Sequence, residues 1–317
     1  MTRLTTLAAV LLAVPALAEG QVLLFPAVAT PAAVTLSGRV FSAPLGRGSN
    51  PVSRNLRSLL APNWEGAQVQ VRFQGQEASL ASGPDGMFEV TFFAPKDRPF
   101  PVGLTNAEAS AKGCSVGVAG VDVISPDAPF FVVSDFDDTL AVSQVTSRGA
   151  LIKHAFAEDG DTQPLVDGMP QLMRCLREGK KERPVFALVS GSPIQFVPRV
   201  SRFMFKNDFP PFGLYLRDLG PKTLSGYKQP IIRSLLKSVP QPVVLVGDSG
   251  EVDPEVYAEI RTEFPGRVKA VAIHDVGRLE DKARVKDMFV FKHPRELVPD
   301  FVKQGLLAPS CAEAAWR

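Results

Sequence analysis

Residues Phe130–Leu140 read FFVVSDFDDTL, an apolar run that stops at three carboxylates, Asp135, Asp137 and Asp138. Runs with so few polar residues form strands buried on both faces, as in a parallel sheet. The acids then fall at the carboxyl end of the strand, where ligands bind in open α/β sheets. Acids in an exposed turn would give the same letters. Acids packed directly behind a buried strand, however, repel one another unless a cation neutralises them. The stretch therefore predicts a divalent-metal site at a strand end.

Two later strands end in a similar way. Val185–Val189 runs into Ser190-Gly191-Ser192-Pro193, and Val243–Val246 runs into Gly247-Asp248-Ser249-Gly250-Glu251-Val252-Asp253. Helical patterns alternate with these strands over Ser143–Ala157, Gly168–Glu178, Ile194–Phe205, Tyr227–Ser238 and Pro254–Phe264, with further strands at Gly213–Leu216 and Val268–Ile273. The tail after Pro294 reads as one more helix. This alternation predicts a mostly parallel, Rossmann-like sheet with helices on both faces. Adjacent strands in such a sheet would bring the three ends together.

The groups at those ends suit phosphoryl transfer. A phosphate monoester is doubly negative and repels an approaching carboxylate; Mg²⁺ removes that repulsion and takes hard oxygen ligands. Asp135, Asp248 and an oxygen at Asp137 are candidate metal ligands. Lys228 and Ser190 are candidate holders of the phosphoryl oxygens, and positioning of this kind supplies most of the catalysis. Asp135 is placed to attack phosphorus. Asp137, two residues on, is placed to protonate the leaving oxygen and later to take a proton from water. Thr139 is expected to support phosphate binding by holding the turn through its hydroxyl. Taken singly, Lys228 reads equally as an ordinary helix lysine, Ser192 as a turn residue, and Asp138 as a turn residue or a supporting acid. His274 reads equally as a strand-end residue.

The DFDDT stretch resembles the DxDxT motif of the haloacid dehalogenase superfamily, and Ser190, Lys228 and GDSGEVD are similar to its later motifs in order and spacing. SDFDDT, VSGSP, Tyr227-Lys228 and VGDSGEVDPEVYAEI, followed by FPGRV and AIHDV, further resemble the catalytic domain of the actin-patch phosphatidate phosphatase family over Phe130–Val276. The resemblance implies a haloacid-dehalogenase-like fold and Mg²⁺-dependent hydrolysis of phosphatidate to diacylglycerol. It implies Asp135 as nucleophile, Asp137 as acid and base, and Asp248 as metal ligand. Asp253 is implied as a metal ligand or an acid beside the ligand set, and its place before Pro254 also suits a helix N-cap. Gly191 and Tyr227 stand where the family pattern carries other polar residues. Two alternatives remain: a phosphatase of a soluble or protein-linked phosphomonoester, and a non-catalytic binding module, against which the intact Asp135, Asp137, Lys228 and Asp248 argue.

Before this region the pattern is β. Val34–Phe41, Val69–Phe73 and Phe88–Phe92 read as strands, with a strong turn at Gly83-Pro84-Asp85-Gly86 and a last strand near Val116–Val123. A small β-sandwich over residues 19–126 is expected, with Pro126 and Pro129 at the boundary to a catalytic domain over 127–317. Ser42–Asn63 interrupts it with Gly, Pro and three arginines, and reads as a loosely packed loop or as a basic contact for an anionic partner. Ile194–Phe212 interleaves phenylalanines with Arg199, Arg202 and Lys206. Its apolar members read as core, or as a peripheral surface meeting anionic lipid.

Residues 1–18 read as a signal peptide: Arg3, an apolar Leu4–Leu17 and a small-residue site at Ala16-Leu17-Ala18. An uncleaved anchor is the alternative. Export to the periplasm is the expectation. Three cysteines, Cys114, Cys175 and Cys311, allow one disulfide without choosing the pair. Three scattered histidines offer no zinc motif. A formal net charge of +2 gives no argument for nucleic acid.

Overall fold

The structure, a computed structural model, describes residues 20–46, 48–143, 160–178, 180–218, 224–277 and 279–316. The signal segment, Arg47 and most of the helix expected over Ser143–Ala157 lie outside these residues. Nine strands come first: β1 (Gly20–Leu24), β2 (Ala27–Ala29), β3 (Ala33–Phe41), β4 (Gln68–Phe73), β5 (Gln76–Ala81), β6 (Met87–Phe93), β7 (Gly103–Ala111), β8 (Cys114–Ser115) and β9 (Gly117–Val123). They form a four-stranded sheet in the order β6-β3-β1-β8 and a five-stranded sheet in the order β2-β9-β7-β4-β5. Alternate residues of both sheets, among them Val22, Leu36, Val71, Phe88 and Val121, share one apolar core. Phe73 anchors it edge-on against Phe100, with ring centroids 4.9 Å apart.

The interruption after β3 is not a loose loop. It carries helix α1 (Pro51–Leu59). Asn50 Oδ1 accepts from Ser53 N (2.8 Å), Ser53 Oγ reaches back to Asn50 N, and Pro51 opens the first turn. This reciprocal cap satisfies donors that a short helix would otherwise leave exposed.

The C-terminal part is α/β. Its sheet joins β10 (Phe131–Ser134), β11 (Phe186–Pro193), β12 (Phe212–Arg217), β13 (Val243–Asp248), β14 (Val268–His274) and β15 (Phe289–Phe291) in the order β12-β11-β10-β13-β14-β15. All five pairings are parallel. Side chains alternate across it as the pleat requires. Phe130, Val132, Leu188 and Val246 face one layer, built on α2 (Met169–Arg177), α3 (Val197–Lys206) and α6 (Val298–Lys303). Phe131, Val133, Ala187 and Leu245 face the other, built on α4 (Leu224–Ser238) and α5 (Asp253–Glu263). The tail after Pro294 holds two α-helices rather than the one expected, α6 and a last helix, α7 (Pro309–Ala315).

The two parts dock along β12. Leu214 N donates to Pro26 O (2.8 Å). Gly213 allows this approach, since a Cβ there would stand 2.9 Å from Val28 N. Buried Arg39 forms a bidentate pair with Asp218 (3.0 and 2.9 Å), and Arg177 on α2 pairs with buried Asp122 at 2.7 Å.

Cys175 on α2 and Cys311 on α7 form a disulfide across 136 residues of sequence, leaving Cys114 as a free thiol. Closing so long a loop constrains the unfolded chain. The Cys175→Ala variant should lose about 2–4 kcal/mol of stability in chemical denaturation. Reductant should lower the midpoint of the parent and leave the variant's unchanged; equal response of both would show that the bridge does not form.

Candidate active site

The central position of β10 decides the site. Its neighbours on either side are β11 and β13, so Asp135, Ser190 and Asp248 emerge side by side. Asp135 follows directly after β10, and its N–H is tied to Val246 O on β13 (2.9 Å). Its carboxylate is 1% exposed.

Lys228 comes from α4 and is fully buried beneath the acids. Its Nζ lies 2.9 Å from Asp135 Oδ1 and 2.6 Å from Asp253 Oδ1, with Glu251 Oε2 at 3.9 Å. Asp253 opens α5, yet Val252 occupies the cap position and Asp253 does not cap the helix. Its other oxygen accepts from Asp248 N at 3.3 Å. Gly247 has no room for a side chain, because a Cβ would stand 2.4 Å from Asp253 Oδ2. Asp248 Oδ1 accepts from Gly250 N (2.6 Å) and Glu251 N (3.2 Å), which folds the loop back over the strand end. Arg284 clamps the same loop by donating to Ser249 O (2.9 Å) and Glu251 O.

The electrostatics are unbalanced. Asp135, Asp248 and Asp253 bring oxygens within 4.8 Å of one another, against one buried ammonium. Burial pushes the Asp135 carboxyl well above the usual carboxylate range; Lys228 pulls it back, and Asp253, Asp248 and Glu251 push it further. Asp248 is raised by burial and then by Asp253. Burial opposes the charge on Lys228, but Asp135 and Asp253 outweigh it and hold the ammonium well above the usual lysine range. Among the described residues, Asp135 Oδ2 and Asp248 Oδ2 are buried without a hydrogen-bond partner. Unsatisfied buried carboxylate oxygens in an acid-rich pocket are the donor set a hard divalent cation takes. Asp135, Asp248 and Asp253 therefore fit a metal ion.

Asp137 stands apart from those three. Its Oδ2 accepts from Ser192 Oγ (2.6 Å) and lies 3.4 Å from Ser190 Oγ. Burial raises its pKa, opposed by the Ser192 hydrogen bond and then by the Arg199 charge. Ser190 is buried, and its Oγ accepts from Ser192 N at 3.0 Å. Ser192, read from sequence as a turn residue, is thus the main partner of Asp137. The two-residue spacing along an extended backbone was the available signal, since it puts Ser190 and Ser192 on one side.

Thr139 does not hold the turn through its hydroxyl: Oγ1 is buried and has no partner among the described residues. Asp138 does that work. Its backbone is left-handed (φ +56°), its N–H donates to Ala141 O (2.7 Å), and its Oδ1 accepts from Ser143 N (2.8 Å). Aspartate tolerates this conformation better than most residues. His274, at the end of β14, donates from Nδ1 to Asp138 O (2.6 Å) and stacks on Phe291.

Residues 130–275 match the family described as "Phosphatidate phosphatase APP1, catalytic domain". The matched region is similar to that family and makes up somewhat less than half of the chain. Asp135, Asp137, Thr139, Ser190, Lys228, Asp248 and Asp253 all lie inside it. The chain is 30% identical over 151 residues to Phosphatidate phosphatase APP1 of Saccharomyces cerevisiae, covering 45% of this chain and 25% of that protein. It is 26% identical over 220 residues to an uncharacterized protein of Schizosaccharomyces pombe, covering 63% of this chain and 35% of that protein. The chain thus spans about a quarter to a third of the length of these relatives. A chain of the Pnkp1/Rnl/Hen1 complex aligns at a TM-score of 0.32 and 18% identity, covering 44% of this chain and 45% of that one. A carbohydrate acetylesterase from Xanthomonas citri aligns at 0.33 and 12% identity, covering 89% and 66%. Such scores carry no argument about function. For the phosphatidate phosphatase catalytic domain, the match runs from the start of β10 to just past β14, five strands with the intervening helices, among them those that build the site.

Proposed function

We propose that the protein is a Mg²⁺-dependent phosphatase that hydrolyses a lipid phosphate monoester, phosphatidate to diacylglycerol. The observation that carries this reading is the division of labour at the end of β10. Asp135 sits with Lys228 and two further acids, whereas Asp137, two residues on, is held separately by Ser192. Asp135, Asp248 and Asp253 would hold the metal. A bound Mg²⁺ would offset the repulsion between the Asp135 carboxylate and the doubly negative phosphate.

Asp135 attacks phosphorus, the bond to the glycerol oxygen breaks, and Asp137 gives that oxygen its proton. Asp137, now ionised, takes a proton from water as the water attacks the aspartyl phosphate. The bond from Asp135 to phosphorus breaks, and inorganic phosphate leaves. Lys228 and Ser190 neutralise and orient phosphoryl oxygens, and Thr139 offers a buried hydroxyl with no partner among the described residues. The raised pKa of Asp137 supports its first role, since it must carry a proton into the reaction.

The C-terminal sheet is read as haloacid-dehalogenase-like and the two N-terminal sheets as a small β-sandwich, with boundaries at 19–126 and 127–317. Residues 1–18 are read as a signal peptide directing export to the periplasm. The Cys175–Cys311 bridge supports an oxidising compartment.

Phosphate release from phosphatidate vesicles, compared with soluble phosphomonoesters, tests the proposal. Chelator should abolish release and added Mg²⁺ should restore it. Activity that survives chelation would overturn the metal-assisted mechanism, and turnover of soluble esters alone would overturn the lipid substrate.

A further inference from the structure

Arg284 lies beyond the matched residues 130–275, yet it reaches back onto the loop that carries the acids after β13. It stands on the single turn Lys282–Val285, between β14 and β15. That turn is held at three points. Val285 is buried in the apolar layer that contains Val256 and Ile260 of α5. Asp281 Oδ1 accepts from Ala283 N (2.8 Å) and caps the turn. Arg261, also on α5, donates to Lys286 O (3.0 Å) and Asp287 O (2.8 Å) just after it. The guanidinium therefore projects from a fixed base.

All three of its nitrogens are engaged. Nη1 donates to Ser249 O (2.9 Å) and Nη2 to Glu251 O. Nε and Nη2 also grip the two carboxylate oxygens of Glu255, in the first turn of α5. This hydrogen bonding holds the Glu255 carboxyl below the usual carboxylate range. A planar fork can span these acceptors at once, whereas a lysine ammonium is a point charge on a flexible stem.

The loop matters because it aims Asp248. Asp248 Oδ1 accepts from Gly250 N (2.6 Å) and Glu251 N (3.2 Å). Those two bonds set the plane of the carboxylate. Oδ2 is left buried and without a hydrogen-bond partner among the described residues. The Ser249–Gly250 peptide is gripped at both ends, its oxygen by Arg284 and its N–H by Asp248. A peptide unit is rigid and planar, so fixing the oxygen fixes the direction of the N–H.

We infer that Arg284 is a positioning residue that makes the acid pocket selective for Mg²⁺ over the larger Ca²⁺, acting through the Ser249–Gly250 peptide and the Asp248 carboxylate. Mg²⁺ demands near-ideal octahedral geometry, whereas Ca²⁺ accepts more ligands in a flexible arrangement. A carboxylate locked in one plane favours the ion that tolerates less error. Groups that orient a ligand from behind are worth about 10–100-fold in metal affinity. The inference rests on the metal-dependent phosphatase reading and deepens it, while its test needs no turnover.

The test is titration of the full chain with Mg²⁺ or Ca²⁺, read as the rise in melting temperature. Arg284→Lys keeps the charge and loses the fork. It should need at least about tenfold more Mg²⁺ for the same rise, with its Ca²⁺ requirement changed less than about threefold. Arg284→Gln should move the ratio in the same direction, although loss of a positive charge by itself favours both cations. Glu255→Gln leaves both carbonyl contacts and loosens the guanidinium, so it should move the ratio by a smaller factor. An unchanged ratio in the Arg284 variants, or an equal loss for both ions, would overturn the inference and leave the phosphatase reading standing. Should both Arg284 variants fail to fold, an unchanged ratio in Glu255→Gln would overturn it. A parent that neither ion stabilises would overturn the metal-dependent reading, and the inference with it.

Discussion

Asp135→Asn should abolish phosphate release while leaving the fold intact. The amide cannot act as the attacking carboxylate, so turnover is expected to fall by about three orders of magnitude or more. The side chain is buried among Asp248, Asp253 and Glu251, all of which disfavour its charge. Losing that charge relieves repulsion, so the variant should melt no lower than the parent in chelator. Active sites commonly trade stability for function in this way. Magnesium should also raise the melting temperature of the variant less than that of the parent, because one ligand is neutralised. A variant within tenfold of the parental rate would remove Asp135 as nucleophile.

Lys228→Met should have the largest effect on stability. The ammonium is fully buried and contacts two carboxylates at 2.9 and 2.6 Å. Methionine fills a similar volume but leaves Asp135 and Asp253 without a counter-charge. Removing one partner from a buried pair costs about 3–5 kcal/mol. Urea denaturation in chelator should show a loss of that size, and Mg²⁺ should recover part of it. The double variant Lys228→Met, Asp253→Asn should be more stable than Lys228→Met alone, since it removes an uncompensated acid. A single variant within about 1 kcal/mol of the parent would show that the ammonium does not hold the acids together.

The sheet of the C-terminal part was legible because its strands are runs of Val, Phe and Leu buried on both faces. The order of the acids was legible for the same reason, since each follows such a run. Their partners were not. The grouping of Asp135 with Asp253, and of Asp137 with Ser192, depends on where α4 and the loop after β11 come to rest. Helix α1 escaped the reading because the side chains it buries fully, Asn55 and Ser58, are polar while Val52 and Leu56 are exposed, although Asn50-Pro51-Val52-Ser53 carries the cap. Strand β15 is three residues long, too short for any period to register. Strand β7, GLTNAEASA, buries only alanines, so its alternation is nearly silent in hydrophobicity. Three cysteines permit three pairings, and only the packing of α2 against α7 selects one.

The docking of the N-terminal part on β12 bears on self-association. That strand ends the parallel sheet, and an open row of backbone donors and acceptors there would template pairing with another chain. The carbonyl of Pro26 engages Leu214 N, and the segment around Val28 lies against Gly213. The segment Pro26–Val28 of the N-terminal part thus shields the sticky margin of the C-terminal sheet. A C-terminal half expressed without it would be expected to self-associate through that margin, even with every acid in place.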